Sequence, residues 1–69
     1  MARTGTITEH EKIRRLRGHS VTHLARLTGF SHGYVSMVEG GQVRPSARYR
    51  SAAASALEVP ESILFPDAM

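Results

Sequence analysis

The sequence predicts a compact all-α domain of five short helices. Three observations predict it. Serine or threonine caps and glycine stops recur at short intervals. The apolar residues between them fall at helical spacing. No segment alternates apolar and polar residues with period two, and no Asn-Gly hairpin signal occurs.

The first helix is expected over Thr8–Arg17. Thr8 and Glu11 have capping-box spacing, in which hydroxyl and carboxylate each satisfy a backbone donor. Thr6 with Glu9 fits the same pattern, so two starts stand open. Ile13 and Leu16 share a face, and Gly18 supplies the stop. Ser20 caps the second helix. Val21, Leu24, Ala25 and Thr28 form one stripe along it, and Gly29 ends it.

Only Phe30 separates that stop from Ser31, the next cap. The third helix spans His32–Glu39, with Val35 and Val38 as its buried pair and Gly40 and Gly41 closing it. Gln42–Pro45 is a loop, and Ser46 caps a fourth helix over Ala47–Leu57. There Ala52, Ala53 and Ala56 permit close approach and Leu57 supplies apolar bulk. Pro60 suits the first position of a last short helix through Leu64. The chain divides into an arm (1–7), a domain (8–65) and a fraying end (66–69).

Composition bounds what such a domain does. Sixty-nine residues make one small domain with a thin core, too small for a large enzyme. The absence of cysteine excludes disulfide staples and cysteine-held zinc or iron–sulfur sites. Leu, Ile, Val and Phe make up about 22% of the chain, just above the range where disorder is the better reading. There is no apolar run long enough for a membrane span and no signal-peptide core, so a cytoplasmic location is expected, in a bacterial cell or phage-infected host.

The net charge of +3 is unevenly shared. Residues 1–50 hold all nine bases and three acids, a net of +6; residues 51–69 hold three acids and no base, a net of −3. A basic body with an acidic tail points to a polyanionic partner for the body.

The chemistry-bearing pattern is Val21–Glu39, two short helices joined by a tight glycine-containing turn, which is a helix-turn-helix arrangement. Small Ala25 lets the third helix cross closely, Gly29 allows a left-handed turn, and Leu24, Val35 and Val38 pin the pair to the rest of the domain. One face of the third helix is then open to a DNA major groove.

The runs Ser20–Ala25, Thr28–Ser31, Tyr34–Ser36 and Val38–Gly40, with Ala56–Phe65 later, resemble the XRE or lambda repressor/Cro-type helix-turn-helix family over about residues 8–65. The resemblance implies a five-helix bundle and a third helix that reads bases through His32, Gly33, Ser36 and Met37, with Tyr34 either a further groove or phosphate contact or a partly buried packer. It implies phosphate contacts at Ser20, the amide of Val21, Ser31, Arg44 and Arg14. It also implies a structural pair, Arg14 with Glu39. Homodimerisation is implied too, through a patch of Val43, Pro45, Val59 and Phe65. Val21 stands where the family usually has Gln, and Gly33 has no side chain, so the reading helix is poor in bidentate hydrogen bonders.

The remaining candidates read as structural. Arg15, Arg17, Arg26, Arg48 and Arg50 read as solvated surface. His19 and His23 are four apart, but His19 precedes the cap, so no metal site is expected. Ser20 and His23 lack an orienting acid, and no catalysis is expected. Ile63 and Leu64 either close the core or join the dimer patch around Val59 and Val43–Pro45.

The expected function is sequence-specific binding of double-stranded DNA by a Cro-like or minimal repressor acting as a dimer on a partly palindromic site. No cofactor, small-molecule ligand or membrane is expected. The alternative is a protein-interaction module, such as an antitoxin or accessory subunit, using the same helix-turn-helix surface.

Overall fold

The computed structural model describes residues 8–66. The arm (1–7), the alternative cap Thr6 and residues 67–69 of the expected fraying end lie outside the described residues. Five helices and no strand occur among the described residues: α1 (Glu9–Leu16), α2 (Val21–Thr28), α3 (His32–Glu39), α4 (Ala47–Leu57) and α5 (Glu61–Leu64).

Each of the first four begins at its expected hydroxyl. Thr8 Oγ1 accepts from the Glu11 amide at 3.1 Å, and Ser20 Oγ from the His23 amide at 3.0 Å. Ser31 Oγ accepts from the Tyr34 amide at 3.0 Å, and Ser46 Oγ from the Tyr49 amide at 3.1 Å. Such a cap stabilises by about 1 kcal/mol, because it satisfies an amide that the helix itself leaves orphaned. The Glu11 carboxylate pairs with Arg15 one turn on, at 2.5 Å.

Pro60 occupies the cap position before α5, one place earlier than its spacing suggested. Its fixed φ of −64° suits the extended entry, and its missing donor costs nothing there. Gly29 makes the α2–α3 turn with φ +78°, a conformation that needs no side chain. Glu58 ends α4 at φ +61°, the one non-glycine among the described residues in that region.

α2 packs on α3 and α4, while α5 packs on α1 and α4. Leu24, Val35, Tyr49, Leu57 and Leu64 are the largest fully buried side chains. Burying each large aliphatic one contributes roughly 1.5–3 kcal/mol.

The inward faces depart from the expected ones in three places. On α1 the buried residues are His10, Ile13 and Arg14, so Leu16 falls outside that stripe and is 78% exposed. On α4 the stripe runs Tyr49, Ala53, Leu57 at four-residue steps with Ala54 beside it, leaving Ala52 and Ala56 half-buried at its edges. At α5, Leu64 closes the core, but Ile63 is 53% exposed and Phe65 is buried in its place.

Candidate nucleic-acid interface

The helix-turn-helix sits on a buried polar frame. Arg14 Nε and Nη2 donate to Glu39 Oε1 and Oε2 at 2.8 and 2.6 Å, a bidentate bridge between α1 and the end of α3. Arg14 Nη1 donates to the His19 carbonyl at 2.8 Å, just before α2. Thr8 Oγ1 donates to the Glu39 carbonyl at 2.9 Å. One guanidinium therefore fixes the start of α2 and the end of α3 together.

The frame continues to α4. His10 Nε2 and the Tyr49 hydroxyl are 2.7 Å apart, with His10 ring and phenol roughly stacked. His10 Nδ1 lies 3.3 Å from Glu39 Oε1 but out of line for a hydrogen bond. Burial holds the His10 imidazole below its ordinary value, opposed by the Glu39 carboxylate. Burial also pushes the Tyr49 phenol above its ordinary value, with the Glu39 charge adding to the effect. The hydrogen bond to Glu39 raises Arg14 further.

The outer surface of α3 is open. His32, Gly33, Ser36 and Met37 are exposed, while Val35, Val38 and Glu39 turn inward. Ser20 and Ser31 are exposed, Arg44 is exposed in the α3–α4 loop, and Val21 is half-buried. At the start of α2, Ser20 takes the His23 amide and leaves the amides of Val21 and Thr22 without partners inside the helix.

Charge is sorted by helix. The first turns of α1 and α5 carry acids (Glu9 and Glu11; Glu61), which complement the helix dipole. The first turns of α2, α3 and α4 carry none.

A family model described as a helix-turn-helix domain matches residues 11–62. The chain belongs to that family. The resemblance read from the sequence and the all-α fold both agree with it. A search of the curated proteins finds no match to the chain.

Within the helix-turn-helix domain, two candidates make contacts inside the fold. Tyr34 is half-buried, stacks on Phe30 at 5.1 Å and accepts from the Ser46 amide at 3.0 Å, so it joins α3 to the cap of α4. Arg14 is buried with its guanidinium committed to Glu39 and His19, which is the structural half of its expected role. Of the dimer candidates, Val43, Pro45 and Val59 are half-buried. Phe65 packs 5.7 Å from His10 and 6.2 Å from Tyr49 between ring centroids, which commits its ring to the core.

His19 and His23 stack nearly parallel at 4.8 Å, with no third ligand-type group gathered beside them among the described residues. No helix among the described residues is long and apolar enough to cross a membrane.

His10 and Tyr49 were not singled out from sequence. Their spacing carries no local signal, because the contact spans 39 positions.

Proposed function

We propose that this helix-turn-helix domain is a sequence-specific regulator that binds double-stranded DNA through α3, acting as a dimer on a partly palindromic site. The observation that carries the reading is the division of α3. Its inner face is locked by Val35, Val38 and the Glu39–Arg14 bridge, while His32, Gly33, Ser36 and Met37 stand exposed on the outer one.

Base reading then falls to His32, Ser36 and Met37. His32 can donate to a guanine edge, and Met37 can contact a thymine methyl. The open backbone at Gly33 lets a base edge come close. Arg44, Ser20, Ser31 and the unpartnered amide of Val21 hold phosphates and set register without reading sequence. Two copies would place their α3 helices in successive major grooves about 34 Å apart. Regulation would follow from occupancy, which blocks or recruits polymerase in a bacterial or phage-infected cell.

The apolar character of α3 and the exposure of Met37 (40%) and Leu27 (50%) favour a second reading, a surface for another protein. Titration against selected and random duplexes at varied salt separates the two. The DNA reading expects steep loss of affinity with salt. It also expects His32→Ala to relax sequence preference and Arg44→Ala to weaken all duplexes alike. No duplex binding at low salt would leave the protein-binding reading.

A further inference from the structure

The ion pairs of the described residues leave an uneven remainder. Lys12, Arg14, Arg15 and Arg50 each have a carboxylate partner. Arg17, Arg26, Arg44 and Arg48 have none among the described residues. Two of these four, Arg44 and Arg48, flank the cap of α4.

Arg48 is exposed, yet it is not loose on the surface. Its guanidinium carbon sits 5.7 Å from the centre of the Phe30 ring. Phe30 is the residue between the α2 stop and the α3 cap. Its ring stacks on Tyr34 at 5.1 Å and meets Tyr49 edge-on at 5.1 Å. Tyr34 in turn accepts the Ser46 amide, so the first turns of α3 and α4 are fastened together. The Arg48 charge is thereby held against the residue that directly precedes the Ser31 cap of α3.

A cation over a ring is held by the ring's negative face while keeping its donors available, unlike one paired with a carboxylate. Arg48 also lies in the first turn of α4, where the helix dipole opposes a positive charge. An anion beside that turn would reverse the penalty. We infer that Arg48 is a DNA-backbone contact, aimed by the Phe30–Tyr34 pair at a phosphate next to the α3 reading helix. This rests on the DNA-binding reading above.

The test measures duplex affinity of the full chain against salt for wild type, Arg48→Ala, Arg48→Gln and Arg17→Ala. Folding of each is checked by circular dichroism. Arg17 donates to the Glu58 carbonyl at 3.4 Å, at the far end of α4, so its removal controls for net charge alone.

Loss of one phosphate contact lowers the slope of log K against log salt by about 0.9 per bound chain. Between 50 and 200 mM salt, the gap between wild type and either Arg48 variant should therefore narrow about 3.5-fold. The loss should be alike for all duplex sequences, and Arg17→Ala should keep the wild-type slope. Phe30→Leu should lower the slope in the same direction, and the double variant with Arg48→Ala should be no worse than Arg48→Ala alone. Wild-type slopes in both Arg48 variants, or the same change in Arg17→Ala, overturn the Arg48 assignment while leaving the DNA reading intact. A wild-type chain that binds no duplex overturns both.

Discussion

Gly33→Ala is expected to stabilise the domain and weaken its binding to DNA. Gly33 is the second residue of α3, and its φ is not among the positive ones. A Cβ built there meets no heavy atom within 4 Å, so the fold does not require glycine. Glycine inside a helix costs roughly 0.5–1 kcal/mol relative to alanine. At a position so near the cap, a gain of about 0.5 kcal/mol is expected. In a domain of this size that raises Tm by about 2–4 °C.

A firmer α3 would by itself help binding, since less of the helix would need ordering. A loss of affinity must then come from the ligand side, from a methyl group placed where a base edge approaches. A loss of about tenfold corresponds to about 1.4 kcal/mol. Thermal melts followed by circular dichroism, with anisotropy titrations of one selected duplex and one random duplex, read both quantities. A raised Tm with unchanged or tighter binding would refute the close approach at Gly33. A lowered Tm would refute the claim that the fold leaves that position open.

The other expectations concern the frame. Glu39→Ala strands the buried Arg14 guanidinium and should cost about 3–5 kcal/mol, enough to unfold much of so small a domain at 25 °C; urea melts measure it, and the Arg14→Met/Glu39→Leu pair should recover most of the loss. Tyr49→Phe removes the hydroxyl bonded to His10 and should cost about 1–3 kcal/mol in the same assay, with the fold unchanged by circular dichroism. Glu58→Gly relieves a left-handed non-glycine residue at φ +61° and should raise Tm, by a gain of about 0.5–1 kcal/mol. His10 has its pKa lowered by burial from an ordinary 6.5, so the unfolded chain binds the proton more readily than the folded one. Its contribution is complete above pH 6.5 and is lost as pH falls from there to the folded value. Tm should therefore fall as pH is lowered through that window in wild type, and this dependence should flatten in His10→Gln.

The helices were legible because their signals are local. A hydroxyl that takes the amide three residues on is written in adjacent letters, and Ser20, Ser31 and Ser46 each mark a start that the structure keeps. His32, Gly33, Ser36, Met37 and Arg44 came as candidates from the family resemblance, and the structure leaves all five exposed. What was not legible depends on distant partners. Arg14 meets Glu39 across 25 positions, and the pairing was reached only through the family resemblance. His10 and Tyr49 share no local pattern, yet they turn α4 so that Tyr49, Ala53 and Leu57 face inward. The contacts of Tyr34 with the Ser46 amide, 12 positions on, and with the Phe30 ring are likewise written in no local pattern.

The same long-range contacts change the meaning of the net charge. Sequence divides it into a basic body and an acidic tail, but the structure does not keep that boundary. Glu61 of the tail pairs with Arg50 of the body at 3.5 Å, and Glu39 of the body is sealed inside with Arg14. Glu9 and Glu11 pair with Lys12 and Arg15 along α1. Four carboxylates thus neutralise three cations on α1 and Arg50 in the first turns of α4, while Arg26, Arg44 and Arg48 have no carboxylate partner among the described residues. A field that attracts a polyanion depends on where unpaired charge stands, not on the total. The helix starts on that part of the molecule carry no acid either, so backbone dipole and side chains act with the same sign there. Reversing Arg44 and Arg48 together to Glu should therefore abolish duplex binding, whereas reversing Arg15 and Arg17 makes the same change in net charge and should leave most of it. Equal losses from the two double reversals would mean that total charge, and not its placement by the fold, is what DNA senses.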